Sequence, residues 1–298
     1  MAYEFNEFES DKIIEHFGKD FFDKVQRDIK FYSNKWELEI LELVDYFSVN
    51  CIFKCISKKF GAAVLKINTP CREVFTEFNA LREYDGKRFC KVFDSDIENG
   101  IILEECINPG MRLREEQSLE KRLNVFSNLF NGLHIQPKNA SLYPTYIEWV
   151  TRITQYMSNR EDYKELYLYM KRAESICLQI SEVYNKKMLL HGDLHHDNIL
   201  LNNDGKYKII DPKGIVGDPI FDIPRFILNE YEEHISAEKN YEKVCTIINS
   251  LETSLGIPNK IIKQCYFIEI AMANCWDVED DGKPDIQSVI MAETIMNR

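Results

Sequence analysis

The sequence predicts an α+β protein of two lobes: a small lobe with a five-stranded antiparallel sheet and one main helix, and a large, mainly helical lobe. Three observations predict it. Short runs rich in β-branched and aromatic residues crowd the stretch between Trp36 and Glu105. Stretches with apolar residues three and four apart fill the chain from Ser118 to Met296. Pro109-Gly110 breaks the chain between the two patterns. The expected division is residues 1–105 and residues 106–298, and 298 residues suffice for a sizeable core.

Taken in order, residues 9–34 predict an amphipathic helix, since Ile13, Ile14, Phe17, Phe21, Phe22, Val25 and Ile29 recur at helical spacing. Trp36–Val49, Cys51–Phe53 and Ala62–Leu65 predict three consecutive antiparallel strands, the last two joined by the turn Lys58-Lys59-Phe60-Gly61. Thr69-Pro70 predicts a helix start, with Thr69 as N-cap and Pro70 at the first helical position, and the helix runs to about Tyr84. Phe89–Phe93 and Ile101–Glu105 predict a further strand pair, with Asn99-Gly100 marking the turn. Helices are expected over Ser118–His134, Tyr143–Met157, Asp162–Lys187, Ile220–Glu233, Glu238–Leu255, Pro258–Asp277 and Ile286–Met296. Gly256-Ile257-Pro258 supplies stop and start signals between two of them. No internal repeat is visible.

Composition narrows the classes. Apolar residues are 45% and charged residues 29%, as in ordinary soluble domains. No apolar run reaches the length of a membrane span. The start, MAYEFNEFESDK, lacks the basic and apolar regions of a signal peptide, so the cytoplasm is expected. Nine scattered Cys without C-x-x-C read as reduced thiols. A formal charge of −12 argues against a general nucleic-acid binder and is compatible with a cationic substrate.

The chemistry concentrates in His191 to Asp218, HGDLHHDNILLNNDGKYKIIDPKGIVGD. Met188-Leu189-Leu190 delivers His191-Gly192-Asp193 onto a loop, and Asn198 follows. Ile199–Leu201 and Tyr207–Ile210 flank Asn203-Asp204-Gly205, a hairpin signal that brings Asn198 and Asp211 to one end of two paired strands. Three oxygen side chains thus gather: two suited to a hard cation and one to a proton. The spacing fits the protein-kinase pattern H-x-D-L-x-x-x-N with a later Asp. In such sites the first Asp accepts the substrate hydroxyl proton while the Asn and the second Asp hold Mg2+. Asp193 is therefore the candidate base, and Asn198 and Asp211 are candidate metal ligands. Lys66, in Val-Leu-Lys-Ile, stands at the V-A-I-K position. Two rival readings are a zinc hydrolase built on His191, Asp193, His195, His196 and Asp197, and a merely solvated polar loop.

HGDLHHDNIL followed by IDPKGIVGDPIFD resembles the aminoglycoside phosphotransferase family of the kinase-like fold, in the branch holding streptomycin 6-kinases and hydroxyurea phosphotransferases. Asp-Pro-Lys-Gly at 211–214 is its distinctive part. Leu103-Glu104-Glu105 with Pro109-Gly110, and Cys275-Trp276 with Glu279-Asp280, are weaker matches. The resemblance implies ATP, or GTP, bound between the lobes with Mg2+. It implies that Lys66 contacts phosphates and pairs with Glu77, or with Glu73 one turn earlier. The backbones of Glu104 and Cys106 would read adenine. The turn over the phosphates, Ser48-Val49-Asn50, holds no Gly, which leaves the Ser48 hydroxyl and Asn50 amide as substitutes. Asp222 is expected to brace the catalytic loop, and Asp218 to serve a turn. Lys213 either adds positive charge at the transferring group or is solvated at the rim.

The acceptor implied is a small-molecule hydroxyl, first that of a streptomycin-like aminoglycoside. Asp197, Glu279, Asp280 and Asp281 would form its acidic lining. Hydroxyurea is the alternative acceptor, and a non-catalytic nucleotide-binding pseudokinase the alternative class. A protein kinase fits less well, because Ala-Pro-Glu is missing and the run from Asp211 to Asp222 is short.

Overall fold

In the computed structural model of the chain, which describes residues 3–44, 50–232 and 234–298, glycine placement decides how the chain opens. The single helix predicted over residues 9–34 is two, α1 (Glu7–Phe17) and α2 (Lys19–Lys35). Gly18 lies between them at φ 87°, a conformation that residues with a Cβ rarely adopt. α2 turns Phe21, Phe22, Val25, Ile29 and Tyr32 inward at helical spacing.

The strands follow as β1 (Leu38–Leu43), β2 (Asn50–Ser57) and β3 (Gly61–Asn68). Next come α3 (Arg72–Tyr84), β4 (Val92–Asp96) and β5 (Ile101–Glu105). They form a five-stranded sheet in the order β1-β2-β3-β5-β4, antiparallel throughout. Cys51, Phe53, Ala63, Leu65 and Leu103 share one apolar core with the α2 face. Removing such side chains from water, at about 25 cal/mol per Å2, is the main force holding sheet and helix together.

Two boundaries differ from expectation. β4 begins at Val92 rather than Phe89. Phe89 instead stacks on Tyr84 at 3.9 Å, and the Cys90 N–H donates to the Ile209 carbonyl, so the 89–90 stretch is held by other partners. Thr69-Pro70 does not open α3, whose N-cap is Cys71. Asn68 donates to the Gly100 carbonyl from both its backbone N–H and its Nδ2, and this extends β3 to the edge of the expected helix start.

The chain divides into two units. The first takes Met1–Gly110 with Leu201–Ile210, and the second Met111–Leu200 with Asp211–Arg298. The sequence-based break fell after Glu105. Beyond it come β6 (Pro109–Arg112), α4 (Leu119–Phe130), α5 (Tyr146–Ser158), α6 (Lys164–Val183) and β7 (Met188–Leu190). They are followed by β8 (Ile199–Asn202), β9 (Tyr207–Ile209), β10 (Ile215–Gly217) and α7 (Pro224–Leu228). The chain ends with α8 (Ala237–Leu255), α9 (Asn259–Glu279) and α10 (Ile286–Asn297). The helix predicted over 220–233 is a 3-10 turn at Pro219–Asp222 followed by the short α7, because Pro224 supplies no N–H to continue the turn. α9 is apolar nearly all round and packs against α5, α6, α7, α8 and α10, as a central helix must. Among the described residues no helix is long and apolar enough to cross a membrane.

Candidate active site

The candidate catalytic loop is built from a strand pair. β7 and β10 run antiparallel with Leu190 opposite Ile215, so residues 191–198 leave one strand where residues 211–214 enter the other. The Lys213 N–H donates to the His191 carbonyl at 2.7 Å. Gly192 sits at φ 82°, and a Cβ there would meet the Lys213 and Ile215 side chains at 3.2–3.3 Å, so this position needs glycine twice over.

Asp222 braces the loop. Its Oδ2 accepts from the His191 N–H at 2.8 Å and its Oδ1 from the Gly192 N–H at 2.7 Å. His134 Nε2 lies 2.9 Å from Oδ2. Burial on its own would raise the Asp222 carboxyl, but His134, His191 and the Gly192 N–H outweigh it and hold it below its ordinary value. Asp218 caps the 3-10 turn by accepting from Ile220 N and also takes the Lys186 N–H. His191 Nδ1 accepts from the Asp193 N–H at 3.0 Å.

Asp193 projects from this frame. Its Oδ1 lies 3.1 Å from Arg225 Nε, and its Oδ2 lies 3.6 Å from His195 Nε2. Burial pushes its carboxyl up, but His195, Arg225 and Lys213 together hold it well below the usual carboxylate range. Asp193 is thus an anion at neutral pH, ready to accept a hydrogen bond from a hydroxyl. Burial lowers the His195 imidazole, but Asp193 and Asp197 on either side outweigh it and raise it overall.

Asn198 Nδ2 donates to the Asp193 carbonyl at 3.0 Å and lies 3.3 Å from His195 Nε2. That commits the amide nitrogen to donating and leaves Oδ1 as the atom of the side chain able to act as a ligand. β8 and β9 are neighbours in a sheet, and their turn is closed by the Asn202 N–H to the Lys206 carbonyl, with Gly205 at φ 75°. Asn198 immediately precedes β8, and Asp211 follows β9 by two residues. Asp211 holds φ 56°, a strained value for a residue with a Cβ and one that concentrates at functional sites. Two oxygen donors, one amide and one carboxylate, fit a Mg2+ that keeps water and phosphate as its other ligands. A zinc site fits poorly. His191, His195 and His196 each serve internal contacts, and no group of three His, Cys, Asp or Glu among the described residues is arranged to hold a metal.

In the first unit, Lys66 lies on β3 and is almost fully buried. Its Nζ donates to Glu77 Oε1 at 2.7 Å and lies 3.0 Å from Glu104 Oε1. Glu73 is exposed, so α3 presents Glu77 to the lysine. Glu104 also contributes a side chain to this cluster. Its backbone is paired within the sheet, opposite Val64 and Val92, and its buried side chain is a second carboxylate for Lys66. The Cys106 N–H donates to the Ala62 carbonyl at 3.4 Å. Asn50 starts β2 as a buried side chain opposite Asn68. Ser48 lies outside the described residues.

Two of the expected acceptor carboxylates already have cations. Arg114 grips Asp197 through Nε and Nη2 at 2.7–3.0 Å, and Arg152 grips both oxygens of Glu279 at 2.5 and 2.8 Å. Asp277, not picked out from sequence, has its carboxyl raised, first by burial and then by the neighbouring Asp280. Arg225 and Glu269 were also missed. Glu269 is a lone charge in the apolar run CYFIEIAMANC, and that interruption was the available signal.

A sheet-bearing unit with a buried Lys–Glu pair and a helical unit with a braced Asp loop define the kinase-like class. Choline kinase LicA from Streptococcus pneumoniae, also solved in complex with AMP, superposes with a TM-score of 0.66 at 14% identity, covering 92% of this chain and 99% of that one. Within the class, the chain belongs to the Aminoglycoside/hydroxyurea antibiotic resistance kinase family, which matches residues 42–281. Streptomycin 6-kinase of Streptomyces griseus is 22% identical over 253 residues, 83% of this chain and 81% of that protein. Hydroxyurea phosphotransferase of Kitasatospora aureofaciens is 21% identical over 289 residues, 94% of this chain and 82% of that protein. The chain is accordingly a phosphotransferase of the kinase type.

Proposed function

We propose that the chain moves the γ-phosphoryl group of MgATP to a hydroxyl of a small molecule, first of all a streptomycin-like aminoglycoside. The observation that carries the reading is Asp193, an anionic carboxylate on a loop braced by Asp222, with Asn198 and Asp211 at the open end of the adjoining hairpin. Asn198 Oδ1 and Asp211 would hold Mg2+, which neutralises charge on the phosphates. Lys66, fixed by Glu77 and Glu104, would take the α- and β-phosphates. Lys213 adds positive potential at Asp193, where charge builds during transfer.

The aminoglycoside reading draws support from Asp277 and Asp280. Burial and Asp280 raise the Asp277 carboxyl more than Arg225 lowers it, so a further guanidinium would relieve the repulsion by bidentate contact. A second reading, a neutral N-hydroxy acceptor such as hydroxyurea, is favoured by one observation: Arg225 stands 3.1 Å from the base, where a carbonyl is welcome and a cation is not. Mass spectrometry of streptomycin and of hydroxyurea after incubation with protein and MgATP separates them. Phosphate on hydroxyurea and on no aminoglycoside would sink the first reading. ATP bound without transfer to any acceptor or to water would favour a pseudokinase.

A further inference from the structure

Asp193 does not stand on its loop alone. Arg225, on α7, places Nε 3.1 Å from Asp193 Oδ1 and 3.1 Å from Glu269 Oε1, an ion contact shared between two carboxylates without hydrogen-bond geometry to either. Glu269 is almost fully buried in the middle of α9, and its Oε2 accepts from the Tyr146 hydroxyl at 3.2 Å. Tyr146 opens α5 and stacks on Phe221 at 4.2 Å with the rings 13° from parallel. The guanidinium also lies 5.3 Å from the Trp276 ring centroid, a cation–π contact from the same helix as Glu269. A chain of contacts therefore runs from two packed helices to the reactive carboxylate.

A charged pair in such a position is costly unless each partner is matched. Well-packed apolar side chains often hold such a place as firmly as a buried ion pair, and most of the buried face of α9 is apolar. What Glu269 and Arg225 add is a fixed cation at one oxygen of Asp193. We propose that Arg225 is a positioning residue for phosphoryl transfer, orienting Asp193 through Oδ1 so that Oδ2, which lies 3.6 Å from His195 Nε2, meets the acceptor hydroxyl, with Glu269 and Trp276 holding Arg225 in place. The inference rests on the reading of Asp193 as the base. In the step itself the acceptor oxygen bonds to phosphorus while the bond from phosphorus to the bridging oxygen of ADP breaks. That electron pair leaves with ADP, and the hydroxyl proton passes to Oδ2.

Glu269 has a second use here. The guanidinium is shared with Glu269, whose carboxyl is raised by burial with Arg225 opposing, so Asp193 is oriented without taking the whole of the arginine's charge. A carboxylate facing an unshared arginine would be a poorer hydrogen-bond acceptor for the substrate. Lysine at 225 would keep the charge but lose the Nε that lies 3.1 Å from both carboxylates and the planar group that lies over a ring.

The test is steady-state ADP release from MgATP, with water as acceptor and with streptomycin or hydroxyurea added, for wild type, Arg225→Gln, Arg225→Lys, Glu269→Gln and Asp193→Asn. Arg225→Gln is expected to lower kcat roughly 10- to 100-fold, the scale of an ångström-size misplacement, while KM for MgATP stays within about twofold. Arg225→Lys should recover part of the loss. Glu269→Gln, which keeps an acceptor for Tyr146, should lower kcat by a smaller factor with the same split. A merely structural arginine would instead lower the melting temperature and weaken MgATP binding along with kcat, and that pattern overturns the proposal. So does an Arg225→Gln protein with kcat within about twofold of wild type. Should Arg225→Gln not fold, Arg225→Lys decides: reduced kcat with unchanged KM for MgATP supports the inference, and unchanged kcat refutes it. Asp193→Asn keeps the two readings apart. If it retains normal kcat, the base assignment itself falls; if it is inactive while Arg225→Gln is normal, only the role of Arg225 falls.

Discussion

Replacing Asp222 with Asn should cost the fold several kcal/mol, and the structure allows the figure to be built up. The carboxylate accepts from two backbone N–H groups at 2.7 and 2.8 Å and faces His134 Nε2 at 2.9 Å, all in a buried setting. Asparagine keeps one oxygen and turns an NH2 toward a group that also donates. One charge-assisted bond is lost, worth about 1.5–3 kcal/mol, and one buried N–H is left unsatisfied at about 1–3 kcal/mol. The sum, about 2.5–6 kcal/mol, brackets the roughly 3–5 kcal/mol cost of breaking a buried ion pair. That is a large share of a total stability of about 5–15 kcal/mol. At about 2–4 °C per kcal/mol the melting temperature should drop by roughly 5–24 °C, read by differential scanning calorimetry. Asp218→Asn is the control. Its bonds to Ile220 N and Lys186 N, at 3.3 and 3.2 Å, are those of an ordinary cap, and its loss should cost about 1 kcal/mol. An Asp222→Asn protein no less stable than Asp218→Asn would refute the bracing argument.

Three further outcomes are expected. Asp211→Ala should abolish Mg2+-dependent nucleotide binding in calorimetry, and unchanged MgATP affinity would remove Asp211 from the metal site. Lys66→Ala should raise KM for ATP more than KM for the acceptor; because it also leaves Glu77 and Glu104 buried without their cation, its melting temperature should fall, and a variant as stable as wild type would contradict the burial of that cluster. Glu230 is matched to His196, Arg122 and Lys243 at 2.6–3.0 Å. Burial would raise its carboxyl, but these partners outweigh it and hold it below its unfolded value, so on acidification the unfolded chain takes the proton first. Its contribution is therefore present above about pH 4.3 and lost as pH falls through that value and below, and Glu230→Gln should flatten the acid limb of a melting-temperature profile.

Legibility followed the range over which each interaction acts. The hairpin from Asn198 to Asp211, the Lys66 strand and the long helices α6, α8, α9 and α10 are local patterns, so composition and spacing expose them. The Lys66–Glu77 contact spans eleven positions and was readable because a strand and a helix have fixed periods. Boundaries set by distant partners were not readable: the 89–90 stretch is drawn off β4 by the Ile209 carbonyl, and the end of β3 is fixed by the Gly100 carbonyl. Gly18 was visible as a glycine, but only its positive φ breaks the helix. Arg225, Glu269 and Tyr146 come from three helices separated by up to 123 positions, and no local pattern links them. Asp197 and Glu279 looked like open carboxylates because their arginines, at 114 and 152, lie far away in sequence.

Those arginines reshape the electrostatics of the acceptor side. On the proposed reading Asp193 has positive groups from three directions, His195, Arg225 and Lys213. Such a field favours the transferring phosphoryl group, whose charge spreads over three oxygens, and disfavours a cation close to the reacting hydroxyl. With Asp197 and Glu279 already matched to arginines, Asp277, Asp280 and Asp281 around the end of α9 are the carboxylates to consider for a cationic acceptor, and Asp280 raises the Asp277 carboxyl. An aminoglycoside that reacts here must therefore carry its guanidinium or ammonium at a distance from the phosphorylated hydroxyl. Substituting Asp277 and Asp280 together with Asn should raise KM for such an acceptor while leaving KM for hydroxyurea unchanged, because a neutral acceptor gains nothing from those carboxylates. Equal effects on both would place Asp277 and Asp280 in the support of α9 rather than in acceptor recognition.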